Sequence, residues 1–184
     1  MSPSLPTLSL VAFRWSHRAA RCLIAGLLVL GAGMLGAGAA TAADTPPPAE
    51  VLTKLHQSNG REIAMGKLAQ TNGQNKEVKA YGRTLAKDHA AADKKVLAFA
   101  KKEKIELPTM TDMKADGMDM GTGAAFDAKF AQEMLDDHKK DIAEVMSVRD
   151  STTSDKLKTL LNELLPTLEK HRDTAQKLVD GQKK

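Results

Sequence analysis

Four histidines are spread through the chain after residue 43, and their positions suggest that imidazoles could meet inside the protein. They are His56, His89, His138 and His171. Imidazole is a common transition-metal ligand, and it also forms hydrogen bonds inside protein cores. The last three lie on or beside apolar stripes that repeat every three or four residues, so we expect them to face the interior of a helical protein.

Each of these histidines falls in a different predicted helix. A rise of 1.5 Å per residue places His89, His138 and His171 within about 8 Å of one another in height along an antiparallel bundle. We therefore predict that the three imidazoles share one interior layer.

The predicted layer has two possible meanings. In the first, the imidazoles form hydrogen bonds with acidic neighbours and fix the register of the helices. In the second, they bind a transition metal together with carboxylates; no other cofactor is indicated. By helix face and level, the nearest acidic residues are Glu62, Asp88 and Asp137. The candidate metal ligands are Glu62, His89, Asp137, His138 and His171.

A second group of potential ligands lies in a methionine-rich loop over residues 105–123. Its members are Met110, Met113, Met118 and Met120, which include the spacings Met-x-x-Met and Met-x-Met. Soft thioether ligands favour Cu(I), and a flexible loop with these spacings could surround one ion. The same methionines could instead fill gaps over the end of a helical bundle, because methionine packs adaptably.

The sequence contains no pattern typical of an enzyme. Ferritin-like di-iron sites use Glu-x-x-His pairs, and no glutamate of this chain is followed by histidine three positions later. There is no Gly-x-Ser-x-Gly elbow and no phosphate-binding glycine loop. The only cysteine, Cys22, lies in an apolar N-terminal run. We therefore expect no catalytic residues.

Residues 1–43 have the pattern of a signal peptide. Arg14, Arg18 and Arg21 precede an apolar run over 22–40, and small residues follow at 40–43. The export machinery and signal peptidase recognise this order, so we expect cleavage and a periplasmic or outer-membrane-associated protein. An uncleaved membrane anchor is the alternative, because the apolar run is longer than a typical signal core.

The charge balance gives no indication of nucleic-acid binding. Without residues 1–43 the chain has 24 basic and 23 acidic residues, and aromatic residues make up only 3% of the full chain. Nucleic-acid binding usually requires a clustered basic face and stacking aromatic rings. The expected partners are an envelope protein or a membrane surface, and the sequence carries no signal for an oligomeric state.

Four amphipathic segments follow a proline-rich tether over 44–48. Their apolar residues recur at the helical period and predict helices over 49–71, 76–104, 124–149 and 155–179. Short turns join the first two helices and the last two, which favours one antiparallel four-helix bundle over residues 49–180. Two separate helical hairpins are the alternative, although each would leave an apolar face in water.

Several short motifs occur in a defined order along these helices. They are residues 62–69 (EIAMGKLA), Asp88-His89, Phe126-Asp127 with Asp137-His138, and residues 165–168 (LPTL) followed by His171. Together they resemble the domain-of-unknown-function 4142 family over nearly the whole chain after residue 43. The resemblance implies a ferritin-like bundle in exported bacterial proteins, with no established reaction, substrate or ligand. The positions that it marks, without a role, are Glu62, Asp88, His89, Asp137, His138 and His171.

The sequence thus predicts an exported, all-α, ferritin-like four-helix bundle that acts as a non-catalytic binding or structural module. The alternative is a metal-binding or metal-buffering protein that uses the histidine layer or the methionine-rich loop.

Overall fold

Four helices make up the fold of this computed structural model, which describes residues 45–109 and 120–182. They are α1 (Pro48–Asn72), α2 (Lys76–Glu103), α3 (Gly123–Ser151) and α4 (Asp155–Gly181). Helix α1 packs mainly against α2 and α3 against α4, and the seams α1–α3 and α2–α4 close the bundle. The predicted all-α four-helix bundle is confirmed, and every predicted helix limit lies within two residues of the observed one.

Two sequence predictions concern residues outside the described ranges. The predicted signal peptide over 1–43 is one, and the loop ligands Met110, Met113 and Met118 are the other. Met120 is described, and it is buried in an apolar cluster with residues of all four helices. Within the described part of the chain, no helix is both long enough and apolar enough to cross a membrane.

The turn between α1 and α2 is held by Asp127, which lies near the start of α3. Its two carboxylate oxygens accept the backbone N–H groups of Gln74 at 3.0 Å and Asn75 at 2.8 Å. These N–H groups lie beyond the helical hydrogen-bond ladders and need such a partner. Asp127 therefore fixes the height of α3 relative to the α1–α2 hairpin, and with it the height of His138.

The backbones of α1 and α2 come close together at Gly66 and Gly82. A Cβ atom on Gly66 would lie 2.5 Å from the carbonyl oxygen of Gly82, and one on Gly82 would lie 2.7 Å from the carbonyl oxygen of Gly66. Both distances are too short for a side chain, so the crossing needs glycine on both helices. This contact sets the register in which Asn59 lies opposite His89.

The interior consists of two apolar clusters with a polar layer between them. One cluster includes Met65, Leu85, Phe130, Leu135 and Ala175. The other includes Leu52, Val96, Ile142, Leu161 and Leu168. Along each helix, at least one buried polar side chain separates the two clusters: His56, Asn59 and Glu62 on α1, His89 and Asp93 on α2, His138 on α3, and His171 on α4.

Candidate metal centre

Three imidazoles from three helices meet in the polar layer. The ring centroids of His89, His138 and His171 lie 5.2 to 5.6 Å apart. None of the three residues is more than 3% exposed. The structure thus brings together the three histidines that helix heights place in one layer. We call them the histidine triad.

The fourth histidine of the layer is not part of the triad. His56 is buried on α1, and its Nδ1 lies 2.7 Å from an oxygen of Asp93 on α2. Its height along the bundle is similar, but it forms its own pair with a carboxylate. His56 therefore provides a natural comparison for the three residues that face one another.

One nitrogen of each triad imidazole contacts a hydrogen-bond acceptor at the edge of the layer. The pairs are His89 Nδ1 with Asn59 Oδ1 at 2.9 Å, His138 Nδ1 with the Met134 carbonyl oxygen at 2.9 Å, and His171 Nε2 with Asp88 Oδ2 at 3.1 Å. Because all three partners accept, each of these outer nitrogens carries the proton of a neutral imidazole. The other nitrogen of each ring is left with a lone pair.

The inner nitrogens are buried acceptors without a donor. They are His89 Nε2, His138 Nε2 and His171 Nδ1, and none has a hydrogen-bond partner. One ring nitrogen from each histidine lies within 4.8 Å of the other two. A single water molecule donates only two protons, so it cannot satisfy three acceptors. A metal cation can satisfy all three.

The donor set fits a transition metal. Metal-binding histidines characteristically donate their other N–H to a carboxylate, a carbonyl or water, which fixes the ring and its tautomer. The outer contacts of the triad follow this pattern with a carboxylate, a backbone carbonyl and an amide oxygen. Metal–nitrogen bonds of about 2.0–2.1 Å require nitrogens about 3.3–3.6 Å apart, so modest side-chain shifts would close the triad around an ion.

Burial also keeps the triad in the form that binds metal. Desolvation lowers the pKa of His89, which the two neighbouring imidazoles lower further. Desolvation likewise lowers the pKa of His138 to about 4 and lowers the pKa of His171, although Asp88 opposes the latter shift. Neutral imidazole is the metal-ligating form, so the triad needs no deprotonation at neutral pH.

Tyr81 holds the backbone that carries one triad member. Its hydroxyl donates to the carbonyl oxygen of His171 at 3.1 Å, and its ring meets the His171 ring edge-on. This contact links α2 to α4 beside the triad, and burial raises the pKa of the Tyr81 hydroxyl so that it stays a donor.

Glu62 contributes a buried carboxyl group to the polar layer that contains the triad. It lies three residues after Asn59, which is about 4.5 Å along α1 and on the same side of the helix. The side chain is only 1% exposed, and its Oε2 has no hydrogen-bond partner. Burial raises the pKa of Glu62 to about 8, with the charge of Asp137 adding to the shift and that of Arg61 opposing it. Glu62 is not a member of the 4.8 Å group that the triad forms.

The structure places Asp137, the other carboxylate of the predicted ligand set, in an ion pair near the surface. Asp137 accepts a hydrogen bond from Arg61, which also donates to Glu133 at 2.8 Å. Asp88, outside the predicted set, is the carboxylate that contacts a triad imidazole. Asp137 therefore ties α1 to α3 at the partly exposed outer part of the contact between these helices.

Sequence reasoning missed the outer partners Asn59 and the Met134 carbonyl. A signal for the first was present, because His56, Asn59 and Glu62 follow one another at three-residue intervals. Three polar residues at that spacing share a helix face, and here that face is buried. The second carried no signal, since every residue has a carbonyl.

The bundle is similar in fold to a solved structure described as CopM in the Cu(II)-bound form. The two share 15% sequence identity with a TM-score of 0.60, over 73% of this chain and 96% of that one. A search of curated proteins found no match. The family model described as domain of unknown function (DUF4142) matches residues 34–178, which include the whole histidine triad. The chain therefore belongs to the DUF4142 family, as the order of its motifs predicts.

Proposed function

We propose that this protein binds one transition-metal ion through His89, His138 and His171. One observation carries the proposal: three buried imidazoles each have one ring nitrogen without a hydrogen-bond partner, and one ring nitrogen of each lies within 4.8 Å of those of the other two. Leaving buried acceptors unsatisfied costs free energy. A cation at this position removes that cost and forms three coordinate bonds.

The donor chemistry favours Cu(II) or Zn(II). Imidazole suits zinc, copper, iron and nickel, and the Irving–Williams order gives copper the highest affinity at a given nitrogen site. The solved structure of similar fold is described as a Cu(II)-bound form, which supports testing copper first. Cu(I) at the methionine-rich loop is a separate hypothesis, because that site would use thioether sulfurs.

Binding or buffering of the metal fits the site better than catalysis does. The triad is buried on all sides, so a bound ion would have no contact with a substrate in this conformation. A catalytic metal also keeps an open coordination position that reaches solvent. We therefore assign no reaction to the protein.

The direct test is the metal content of the protein, purified without chelators or an affinity tag and dialysed against Cu(II) or Zn(II). We expect about one ion per chain, because the triad forms one ligand set. His89→Ala should reduce the bound metal at least tenfold, since even the loss of a hydrogen-bond partner of a metal ligand typically costs that much affinity. His56→Gln is the matched control, because His56 is also buried but lies outside the triad. A wild-type protein without stoichiometric metal would contradict the proposal.

We also propose that residues 1–43 direct export and that the protein acts in the periplasm or at the outer membrane, where an envelope protein or the membrane surface could be its partner. The support is the order of basic, apolar and small residues at the N-terminus. Intact-mass measurement of the exported protein should give a chain that starts at Ala43 or Asp44. A chain that retains residues 1–40 would support the anchor alternative.

A further inference from the structure

The histidine triad is sealed, so a metal ion can reach it only if helices or side chains move. All three inner nitrogens are inaccessible to solvent. Two seams of the bundle, α1–α3 and α2–α4, join helices that no short turn connects. The entry route proposed for the ion runs through one of these seams and rests on the proposed function.

The α1–α3 seam carries a chain of carboxylates that leads inward. The exposed fraction of the side chain falls from 37% for Glu133 to 26% for Asp137 and to 1% for Glu62. Asp137 directly precedes the triad residue His138 in the sequence. Glu62 directly follows Arg61, and its free oxygen is the one buried carboxylate oxygen without a partner in the described ranges.

Arg61 contacts this chain of carboxylates at its partly exposed outer end. Its guanidinium donates to Asp137 and Glu133 on α3 and lies 3.6 Å from Glu62 Oε1. The side chain is 34% exposed. One positive group thus sits between the solvent and the buried carboxylate, at the position that an incoming cation would occupy.

The seam is acidic even with Arg61 in place. Asp141, which accepts a hydrogen bond from Ser58 at 3.1 Å, adds a fourth carboxyl group to the same α1–α3 contact. Three carboxyl groups face the guanidinium of Arg61 and Asp141 adds a fourth to the seam, and an acidic surface of this kind concentrates cations. A divalent cation also carries twice the positive charge of the guanidinium that it displaces, so the carboxylates attract it more strongly.

The α2–α4 seam lacks these features. In the ranges that the structure describes, two lysine–glutamate ion pairs cross it: Lys95 with Glu163 at 2.9 Å, in which both side chains are about half exposed, and Lys156 with Glu103 at 2.8 Å, in which the lysine is exposed. The carboxylate nearest the triad on that side, Asp88, already accepts from His171. Among the described residues, no carboxylate oxygen on α2 or α4 is both inaccessible to solvent and without a hydrogen-bond partner.

We propose that the metal ion reaches the triad along the α1–α3 seam, with the Arg61–Asp137 ion pair as the gate and Glu62 as the carboxylate that receives the ion inside. When Arg61 swings outward, Asp137 and Glu62 are released together, because the same guanidinium faces both. The cation takes the place of the guanidinium and then passes from Glu62 to the imidazole nitrogens. Arg61 closes the gate by returning to Asp137 and Glu133.

The test measures how fast the purified, metal-free protein removes Zn²⁺ from a colorimetric chelator. Arg61→Met removes the guanidinium and keeps a long, unbranched side chain, so uptake should become about fivefold to tenfold faster. Glu62→Gln replaces the buried carboxyl group, which can release its proton to bind a cation, with an amide of nearly the same shape, and uptake should become about tenfold slower. Both changes are at the low end of electrostatic effects on association rates. The zinc content at the end of each reaction separates slow uptake from lost binding.

Lys95→Met is the matched control, since it also removes one positive charge from an ion pair that crosses a seam. Its uptake rate should stay within about twofold of wild type, because exposed pairs contribute little. Equal acceleration by Lys95→Met and Arg61→Met, or an unchanged rate in Glu62→Gln, would overturn the route and leave the triad as the metal site. Loss of the final zinc content in Glu62→Gln would make Glu62 a permanent ligand, which also overturns its role in transit.

Two further outcomes also decide between the proposed route and its alternatives: a variant that does not fold, and a wild-type protein that takes up no zinc. If circular dichroism shows that Arg61→Met does not fold, Asp137→Asn opens the same ion pair from α3. Uptake should then accelerate although a negative charge is lost, and slower uptake would overturn the gate. A wild-type protein that takes up no zinc at equilibrium would refute the proposed function, and the route would fall with it.

Discussion

A hundredfold excess of free Zn²⁺ over its Kd is expected to raise the Tm of the protein by about 10 °C. A ligand that binds only the folded state stabilises it by about 2.7 kcal/mol at that excess. A domain of about 140 residues shifts its Tm by about 4 °C for each kcal/mol. Differential scanning calorimetry with and without a chelator measures the shift.

His138→Leu should abolish this rise without lowering the Tm of the metal-free protein. Leucine fills a similar volume in the buried position, which cores tolerate well. The substitution also removes one of three crowded acceptors, so their mutual repulsion falls. The Met134 carbonyl keeps a partner, because it still accepts the helical hydrogen bond from the backbone N–H of residue 138.

His56→Gln serves as the control in the same experiment. Glutamine can still donate a hydrogen bond to Asp93, and we expect the full rise with Zn²⁺. A purely structural triad predicts the opposite pattern. Zinc would then leave the Tm unchanged in the wild type, in His56→Gln and in His138→Leu alike.

The helices could be predicted because their inner faces are mostly apolar and recur at the helical period. On α2, for example, this period predicts Val78, Tyr81 and Leu85 inside, and all three are buried. On α1 the same reasoning predicts Leu55 and Ile63 inside, but both are only half-buried. The inner face of α1 includes His56, Asn59 and Glu62, and a count of apolar residues cannot detect a buried polar face.

The height of the triad along the bundle could be predicted, but its membership and the orientation of its imidazoles could not. Antiparallel helices of known rise place His56, His89, His138 and His171 at similar levels. Which of them face one another depends on the rotation of each helix about its axis. The rotation of α1 turns His56 toward Asp93 and so leaves it out of the triad. Which ring nitrogen points inward depends on the outer acceptor of each imidazole. Those acceptors come from other helices or from the backbone, so the local sequence around a histidine does not specify them.

The metal-free protein is expected to be most stable between pH 6 and 7 and to lose stability on both sides. Two sets of buried groups in the polar layer cause the loss of stability at low pH, which we call the acid limb of the profile, and the loss at high pH, which we call the alkaline limb. The triad histidines have lowered pKa values, and Glu62 has a raised one. Urea unfolding in the presence of a chelator, at intervals from pH 4 to pH 8.5, measures the profile.

The acid limb comes from the triad. Below pH 6.5 the unfolded chain takes up protons on histidines that the folded chain keeps neutral, so the free energy of unfolding falls as the pH falls. For His138, the interval from its ordinary pKa of 6.5 down to about 4 corresponds to about 3 kcal/mol. Glu62 and Asp141, whose pKa values burial raises to about 8 and about 6, offset part of this loss.

The alkaline limb comes from Glu62, and one variant tests each limb. The folded chain keeps a proton on Glu62 that the unfolded chain has already lost, so stability falls as the pH rises through about 8. Glu62→Gln should remove this decline, which amounts to about 2 kcal/mol between pH 6.5 and 8. His138→Leu should flatten only the acid limb. An unchanged acid limb in His138→Leu would mean that His138 is not held neutral by burial, and a metal would then have to compete with a proton for that nitrogen.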